Sequence, residues 1–542
     1  MINFQLPETL DYALVAKATS ALIAIRLVRG IYQRASLYYS VKHIPGPSYT
    51  GFVNGNFQEN LDDERAIVPV QWLEKYGKVF RTWGLLGETS IQMADLKGLS
   101  HVLKHDADIY QKPDQLIYLM GRLTGRAKSR GGFNSCWITR IKYKLGAQNP
   151  AFGPAEIRGL TDVFLEKSIE LRDLLSSQVM DAGGSSAKLD VLPWISKMTL
   201  DVIGQAGFNY SLQALSGEHN ELTSVFSHLF ADGNFLTPTV VLKLMFPWLR
   251  LLPEADGAVR RGLAKCRDVS RELYERNKAA VEKTGTTEER DLFSLLIKSN
   301  MSDEVPEKQR MPMDEVLAQV PTFLGAGHET TSTTTTLALY LLCAAPEIQS
   351  KLRKELLSVP TDSPSMDQLN ALPYLDAVVR ETLRVLAPVQ NTIREAMKDD
   401  VIPLSQPFVD RYGREHHSVE VKRGQTIIVP ILAINKDKTL WGEDAEEFKP
   451  ERWENLPEAV TAIPGVWGNM MTFLGGPHAC IGWRFSIVET KALIFTLLRG
   501  FEFELDVPKE DILIKRGFAV HRPVVRGKEG NQLPVIIKPV VM

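Results

Sequence analysis

The sequence has few cysteines, almost no excess of charge and no long uninterrupted hydrophobic run, and each absence excludes a class of protein. The four cysteines among 542 residues are too widely spaced for a CxxC metal pair and too few for a secreted disulfide framework, which indicates a reducing compartment. Lysine and arginine total 63 against 65 aspartate and glutamate residues, so no basic field exists to hold nucleic acid. A hydrophobic fraction of 44%, without any repeat, excludes a disordered or collagen-like chain and predicts a large packed globule.

The most hydrophobic segment near the N terminus covers residues 12–28. Its seventeen residues are interrupted by Lys17 and Arg26, which places it at the short edge of what spans a bilayer. The flank after it is the more basic one, so the positive-inside rule puts the rest of the chain on the cytosolic side. We predict that residues 1–28 form an uncleaved membrane anchor; a helix that lies on the domain or at the membrane interface is the alternative.

The rest of the chain divides into a linker and one large body. Residues 29–50 are basic and end in HIPGPSYT, whose prolines cannot continue a helix, so we predict a linker there. Apolar recurrence every three or four residues predicts helices at 66–76, 155–180, 193–208, 258–283, 314–343, 346–358, 374–386 and 484–498. Short apolar or alternating runs predict strands at 78–83, 89–93, 419–421, 426–430, 501–505 and 533–539. Residues 51–542 are therefore predicted to be mainly α, with small β-sheets.

Residues 473–482, FLGGPHACIG, form a glycine-rich loop that ends just before an apolar helical run. The loop delivers Cys480 to the N terminus of that helix, where the helix dipole and unpaired N–H groups favour a thiolate. Gly475, Gly476 and Gly482 allow tight turns and the close approach of a flat ligand. Such a thiolate can be a nucleophile, a redox thiol or a single metal ligand. No histidine-bearing partner motif supports a cysteine hydrolase, and no neighbouring cysteine supports a disulfide.

Two further motifs carry polar residues within predicted helices. Residues 324–336, LGAGHETTSTTTT, place glycines and threonines of low helix propensity inside a long apolar helix, which indicates a functional reason. Packing against another helix would explain the threonines but explains Glu329 poorly. Glu381 and Arg384, in ETLR, lie at i,i+3 on one helical face, where an ion pair forms readily. At a solvated surface such a pair contributes only about 0.5 kcal/mol.

The loop matches the haem-binding pattern FxxGxxxCxG at Phe473, Gly476, Cys480 and Gly482. In this the sequence resembles the cytochromes P-450, the haem-thiolate monooxygenases, and over residues 45–540 it looks most like fungal membrane-bound members. The resemblance implies a fold in which haem lies between a long central distal helix and the helix that follows the Cys loop. It also implies that Cys480 is the axial ligand of the haem iron, and that Phe473 packs on the ligand's side.

The resemblance also implies roles for the polar residues of the long helix. Glu329 and Thr330 match the family's AGxET element and would be the catalytic acid–alcohol pair that delivers protons during oxygen activation. His328 is expected to face outward.

Other matches imply contacts with the haem edge and a structural network. Glu381 and Arg384 would form a buried network with Arg452, which lies in FKPERW. Arg394, in TIREA, resembles the family arginine that binds a haem propionate. His478 stands two residues before the cysteine, where many members carry arginine, and would donate to the other propionate.

The resemblance breaks within segment 121–148. The family's WxxxR element, which supplies a further cationic propionate contact, should fall there, but Trp137 and Arg140 are spaced three apart rather than four. The contact would pass by default to Arg140, Lys142 or Lys144. The segment is either genuine divergence or the product of a misplaced exon boundary or a locally rebuilt stretch. If it is genuine, haem retention would be weaker.

The resemblance implies an enzyme that inserts one oxygen atom from O2 into a lipophilic substrate, in secondary metabolism or xenobiotic oxidation. The implied cofactor is haem b, iron protoporphyrin IX. NADPH acts indirectly, through a reductase, and a cytochrome b-type protein is a second candidate donor. The implied location is the endoplasmic reticulum membrane, with the catalytic domain facing the cytosol. Two alternatives stay open: a reductase-independent thiolate-haem isomerase or dehydratase, and an inactive product of the disrupted segment 121–148.

The number of domains and the substrate class follow from where the motifs lie. The length alone suggests three or four domains, but motifs far apart in sequence must converge on one cofactor, so a single catalytic domain fits better. Mostly apolar stretches would line the substrate site, which indicates a terpenoid, a steroid or a polycyclic aromatic compound. These stretches are 116–123, 323–327, 389–392 and 517–520.

Overall fold

The computed structural model describes residues 12–51, 54–56, 59, 63, 67–123, 150–217, 237–251, 257–284, 291–301, 310–516 and 520–540. The helices, in chain order, are α1 (Tyr12–Val41), α2 (Val68–Tyr76), α3 (Leu96–Lys104), α4 (Asp114–Leu123), α5 (Pro154–Asp181), α6 (Val191–Phe208), α7 (Pro238–Met245), α8 (Gly257–Thr284), α9 (Leu292–Met301), α10 (Met313–Leu317), α11 (Gln319–Cys343), α12 (Pro346–Leu357), α13 (Met366–Asn370), α14 (Pro373–Val385), α15 (Ile431–Asn435), α16 (Lys438–Trp441) and α17 (Trp483–Gly500). The strands are β1 (Val79–Trp83), β2 (Thr89–Met93), β3 (Tyr110–Gln111), β4 (Ala187–Asp190), β5 (Thr392–Ala396), β6 (Asp400–Val409), β7 (Glu415–Val421), β8 (Thr426–Val429), β9 (Phe501–Leu505), β10 (Ile512–Arg516), β11 (His521–Val525) and β12 (Pro534–Pro539). The predicted mainly α fold with small sheets is confirmed.

Proline sets several of the helix starts. It is the first residue of α5, α12 and α14, where its fixed φ suits the helix and its missing N–H leaves no bond unmade. These starts lie within one residue of those predicted from apolar spacing. The helix predicted over 314–343 is instead divided at Ala318 into α10 and α11.

Helix α11 is the centre of the helical core. Every side chain from Thr331 to Leu339 is buried, so neighbours must cover the helix on all sides. On one side lies α6, and on another α17, where the Thr331 hydroxyl donates to the Ser486 hydroxyl at 3.1 Å. Helix α5 packs in turn on α17, with the Phe164 and Phe485 rings edge to face at 4.7 Å. The end of α17 that carries the Cys loop is therefore tied directly to the long central helix.

The largest of the described sheets has the strand order β1-β2-β8-β5-β3. Its last two strands are antiparallel, with Tyr110 opposite Ala396, which sets the turn after α3 beside Arg394 of β5. Strands β4, β12 and β9 form a second sheet, and β6–β7 and β10–β11 form separate pairs. Apolar spacing missed the helices α3, α4, α7, α9, α13, α15 and α16 and the strands β3, β4, β5, β6, β10 and β11, most of which are too short to show a clear period.

The boundary predicted at residue 28 is wrong, because α1 continues as one helix to Val41. The extended Pro-rich stretch follows that helix rather than extending back to residue 29. The C-terminal part of α1 packs on the body: the Tyr38 ring stacks on Trp83 at 5.3 Å, and Arg34 Nη1 donates to the Leu86 carbonyl at 3.2 Å. Among the residues that the structure describes, no helix has the length and apolar character to cross a membrane, so the spanning anchor is not supported.

Asp95 should be a main stabilising residue on the edge of the fold that carries α3. Its carboxylate caps α3 by accepting from Gly98 N at 2.9 Å, and it also accepts from Ser405 N at 3.0 Å. Asp95→Ala leaves the buried Gly98 N–H and the Ser405 N–H without this acceptor, so we expect the free energy of unfolding to fall by about 1–2 kcal/mol. Denaturant unfolding measures it. Asp95→Asn, which keeps an acceptor oxygen, is the control, and an equal loss in both variants would contradict the capping role.

Candidate functional site

The Cys loop presents a thiol at the N-terminal end of a buried helix. Helix α17 begins at Trp483, three residues after Cys480, and is buried from Ile487 to Leu498. The loop is closed by Cys480 N, which donates to the Phe473 carbonyl at 2.8 Å. The Cys480 side chain is exposed, unlike those of Cys266, which is buried, and Cys343, which is partly buried. A thiol in this position is accessible to a ligand and lies where the helix dipole favours its thiolate.

Two of the three loop glycines are required by close backbone approaches. A Cβ at Gly475 would lie 1.7 Å from the Pro464 carbonyl oxygen, and one at Gly476, whose φ is +70°, would lie 2.6 Å from the Leu103 carbonyl oxygen. Gly482 differs, because its φ is −89° and a Cβ there would meet only ordinary contacts. The tight turns predicted at all three glycines are therefore found at Gly475 and Gly476 but not at Gly482. The approach of Gly476 to Leu103 places the loop against the end of α3.

The predicted network of Glu381, Arg384 and Arg452 is present and buried. Arg384 holds the Glu381 carboxylate with two bonds, Nη2 to Oε1 at 2.7 Å and Nε to Oε2 at 2.9 Å, and neither side chain is exposed to solvent. Arg452 Nε lies 3.3 Å from Glu381 Oε1. Trp441 packs beneath the network, with the Arg384 guanidinium 5.0 Å from its ring. Because Arg cannot lose its charge in the core, one carboxylate alone would leave an uncompensated cation.

Asp444 supplies the second negative charge, and no sequence motif indicates this residue. Its carboxylate bonds to Arg452 Nη1 and to Lys449 Nζ. The bond from Arg452 is the main reason that the pKa of Asp444 is lowered to about 2. With Asp444 the buried network contains two arginines and two carboxylates. A lone aspartate in a loop carries no periodic signal by which it could have been found.

Asn435 connects this network to the Cys loop. Its carbonyl oxygen accepts from Arg384 Nη1 at 2.9 Å, and its side chain accepts from Met471 N at 2.8 Å and donates to Thr472 Oγ1 at 2.8 Å. Thr472 in turn donates to the Leu383 carbonyl at 2.8 Å. The residues immediately before Phe473 are thus fixed to α14, so the network holds the Cys loop in place without touching the thiol.

The distal helix separates the two members of the predicted acid–alcohol pair. Glu329 is buried and its Oε1 lies 2.7 Å from Arg522 Nη2 on β11. Burial raises the pKa of Glu329 to about 7, although Arg522 opposes the shift. The Thr330 hydroxyl donates to the Ala326 carbonyl at 2.8 Å, and both residues lie on the less buried part of α11. The two side chains therefore take different partners, and Arg522 was not predicted.

His328 does not face outward, as was expected. It is buried against α6, with Nε2 2.8 Å from Ser196 Oγ, and burial lowers its pKa to about 3. The expectation failed because His328 lies on the side of α11 that packs on α6, where the Thr199 hydroxyl also donates to the His328 carbonyl at 3.2 Å.

Arg394 and His478 meet at a third residue, Asp106. Arg394 Nη2 lies 3.5 Å from Asp106 Oδ2, and His478 Nδ1 lies 2.7 Å from the same oxygen. Arg394 and Asp106 are fully buried, and the His478 side chain is nearly so. Arg394 also donates from Nη1 to Thr392 Oγ1 and to the Ile393 carbonyl, both at 3.0 Å. The structure therefore brings together the two side chains assigned to haem propionates, and adds a carboxylate.

The replacement candidates for the WxxxR contact, Arg140, Lys142 and Lys144, lie outside the described residues, as does Trp137. Most of segment 121–148 and residues 517–519 of the predicted substrate lining also lie outside them.

The Cys loop offers an exposed thiol at a helix start, in a loop that a buried ion network holds in place, and such a thiol can serve as a single metal ligand. The Cytochrome P450 family model matches residues 45–526, and the chain belongs to that family. It is 48% identical over 515 residues to cytochrome P450 monooxygenase 205 of Postia placenta, covering 92% of this chain and 93% of the relative. It is 47% identical to monooxygenase 128 of the same fungus, with 92% of each chain covered. Cytochrome P450 monooxygenase claQ of Ampulloclitocybe clavipes is 34% identical, over 89% of this chain and 90% of the relative. The predicted monooxygenase class and fungal type are confirmed.

The residues present fit the haem that this family implies. A thiolate-ligated iron porphyrin needs an accessible cysteine and donors for its carboxylates, and the chain offers Cys480, Arg394 and His478. Among the described residues, no group of three or more His, Cys, Asp or Glu side chains could hold a metal ion.

Arg384→Ala should be among the most damaging single changes near the site. It leaves Glu381 with Arg452 alone and removes the donor to the Asn435 carbonyl, so we expect a loss of about 3–5 kcal/mol in the free energy of unfolding. Haem content per protein should fall with it, because Asn435, which anchors the loop, loses its bond to Arg384 of α14. Denaturant unfolding and the haem-to-protein absorbance ratio measure both. Arg158→Ala, which breaks an exposed pair with Asp367, should change neither. Similar behaviour of the two variants would contradict the network's role.

Proposed function

We propose that the chain inserts one oxygen atom from O2 into a lipophilic substrate, with electrons that NADPH supplies through a separate reductase. The observation that carries the proposal is the exposed Cys480 thiol at the start of α17, in a loop that a buried network holds rigid. Full-length similarity to proteins named monooxygenases supports the same reaction class.

We propose that the residues around the Cys loop keep Cys480 as a thiolate in a fixed position. The N–H groups of the first turn of α17 and its dipole stabilise the negative sulfur. Glu381, Arg384 and Asn435 restrict the loop's motion. A thiolate-ligated haem, when bound there, supplies the oxygen-activating chemistry, because electron density from sulfur favours O–O cleavage.

We propose that Glu329 and Thr330 of the distal helix α11 deliver protons. Thr330 holds a hydroxyl on the less buried part of α11, where it can order water or donate to a bound oxidant. Glu329, with a pKa of about 7, can hold a proton on its carboxyl or release it near neutral pH. Arg522 positions that carboxyl and keeps its own protons, so we propose that Glu329 exchanges protons with the distal site through water rather than by direct contact with Thr330.

The proposed substrate is lipophilic, with a terpenoid, a steroid and a polycyclic aromatic compound as candidate classes, and the proposed setting is secondary metabolism or xenobiotic oxidation. The aromatic residues Phe152 and Phe323 meet edge to face at 5.6 Å at the predicted lining of α11, and Tyr118 of α4 is buried. Such a lining excludes water and binds by apolar contact.

We also propose that the chain acts at the cytosolic face of the endoplasmic reticulum, where α1 lies in the membrane interface. Large side chains of α1 are exposed, among them Ile25, Val28, Ile31 and Tyr32. Apolar side chains interspersed with arginines suit an interfacial helix better than a spanning one. An NADPH-dependent reductase, or a cytochrome b-type donor, would reach the haem from the same side.

Two alternatives compete with this proposal. An isomerase or dehydratase that rearranges peroxides needs no proton delivery, so Glu329 and Thr330 argue against it. An inactive product would have lost the haem site through segment 121–148. Against this, the relatives align over more than nine-tenths of the chain, and the Cys loop and its supporting network are intact.

The purified chain, reduced under carbon monoxide, should show the red-shifted Soret band of a thiolate-ligated haem. Cys480→Ala removes the sulfur ligand and should abolish the band. Thr330→Ala should keep it, since Thr330 is not a ligand, but should increase the hydrogen peroxide released per NADPH by about tenfold in a reductase-reconstituted system. A folded wild-type chain without the band would refute the monooxygenase function.

Glu329 should make electron use depend on pH near neutrality. Below pH 7 the carboxyl is mostly protonated and can donate; above pH 7 it is charged and cannot. The peroxide released per NADPH by the wild type should therefore rise as pH increases through about 7. Glu329→Gln should release a high, constant amount from pH 6 to 8.

The matched control for this experiment is Glu489→Gln on α17. Glu489 is also a buried carboxyl whose pKa burial raises well above its ordinary value, but it lies on α17 rather than on α11. Its amide variant should keep the wild-type pH profile. A wild-type profile in Glu329→Gln would show that Glu329 delivers no proton.

A further inference from the structure

Asp106 lies where three elements meet at the edge of the haem site. It belongs to the turn between α3 and β3, and its side chain is completely buried. Arg394 of β5 and His478 of the Cys loop both approach its Oδ2, at 3.5 and 2.7 Å. These are the two side chains assigned to the haem propionates, and Asp106 offers them the same chemical group, a carboxylate.

The backbone, rather than a flexible side chain, fixes this position. Pairing of Tyr110 with Ala396 sets the turn beside Arg394. The close approach of Gly476 to the Leu103 carbonyl sets the end of α3 beside the Cys loop. Asp106 is therefore held between Arg394 and His478 by contacts on both sides.

The charge of Arg394 explains why a carboxylate belongs here. A fully buried guanidinium cannot lose its proton, and burial without a counter-charge costs several kcal/mol. Neighbouring carboxylates are engaged elsewhere: Asp108 is exposed and lies 3.7 Å from His105, and Asp400 accepts from Tyr110 and His101. Within the part of the chain that the structure describes, Asp106 is the acid that faces both Arg394 and His478.

We propose that Asp106 is an internal counter-ion, which neutralises Arg394 and holds His478 in the haem-free protein and gives way to a haem propionate on binding. The inference rests on the proposed binding of haem at Cys480. Asp106 stabilises the haem-free protein more than the loaded one, because in the loaded protein a propionate already compensates the charge of Arg394. By linkage, a group that favours the unbound state weakens binding. Asp106 therefore lowers the affinity for haem without contacting the haem.

Asp106→Asn tests the proposal, because it removes the charge and keeps the size and an acceptor oxygen. Haem should leave Asp106→Asn about tenfold more slowly than the wild type, which corresponds to about 1.4 kcal/mol. The haem-free variant should unfold at a lower denaturant concentration. Release is measured on purified holoprotein by transfer of haem to excess apomyoglobin, followed at the Soret band. Asp108→Asn, two residues away and exposed, should match the wild type in both measurements.

A haem whose propionates are esterified separates this role from simple packing. Without a propionate charge, nothing replaces Asp106, so the wild type and Asp106→Asn should release the diester within about twofold of each other. Faster or unchanged release of ordinary haem from Asp106→Asn would overturn the inference and assign Asp106 an orienting role instead. Failure of the wild type to take up haem would instead refute the proposed function, so the two failures are distinguishable.

Discussion

The buried ion network of Glu381, Arg384, Arg452 and Asp444 is the constraint on which the site depends. It places two permanent cations in the core, and they are tolerated only because two carboxylates and several carbonyl oxygens surround them. Removing any one member leaves a charge unpaired, so the arrangement is specified as a whole. Asn435 connects the network to the Cys loop and so restricts its motion. The glycines of that loop would otherwise leave its backbone flexible.

Charge compensation recurs at each functional point of the molecule. Glu329 meets Arg522 on the distal side, and Asp106 meets Arg394 and His478 at the haem edge. In each case the charge of the pair can change while the surrounding structure stays in place. A proton can do so at Glu329, and a haem propionate can do so beside Arg394. Burial makes each pair sensitive, because a charge change in a poorly solvated place costs more than at the surface.

Much of this could be predicted from the sequence, and what was missed has a common cause. Cys480, Glu381, Arg384 and Arg452 sit in motifs with fixed local spacing, and the long helices show their period. Asp444, Asn435, Asp106 and Arg522 are single polar residues whose partners lie far away in sequence, so no local pattern marks them. The linker boundary failed for another reason: arginine is a good helix former, so α1 continues through Arg29 and Arg34 where hydrophobicity fades.

The pairing of Glu329 with Arg522 joins residues separated by 193 positions. Residues that hold the Cys loop, such as Asn435, and the cysteine itself are also in the last quarter of the chain. A ribosome makes the chain from its N terminus, so the long distal helix is complete well before Arg522 and Cys480 are made. The contact of Glu329 with Arg522 and the placement of Cys480 can therefore form only near the end of biosynthesis. The site is completed on a distal helix that was made much earlier.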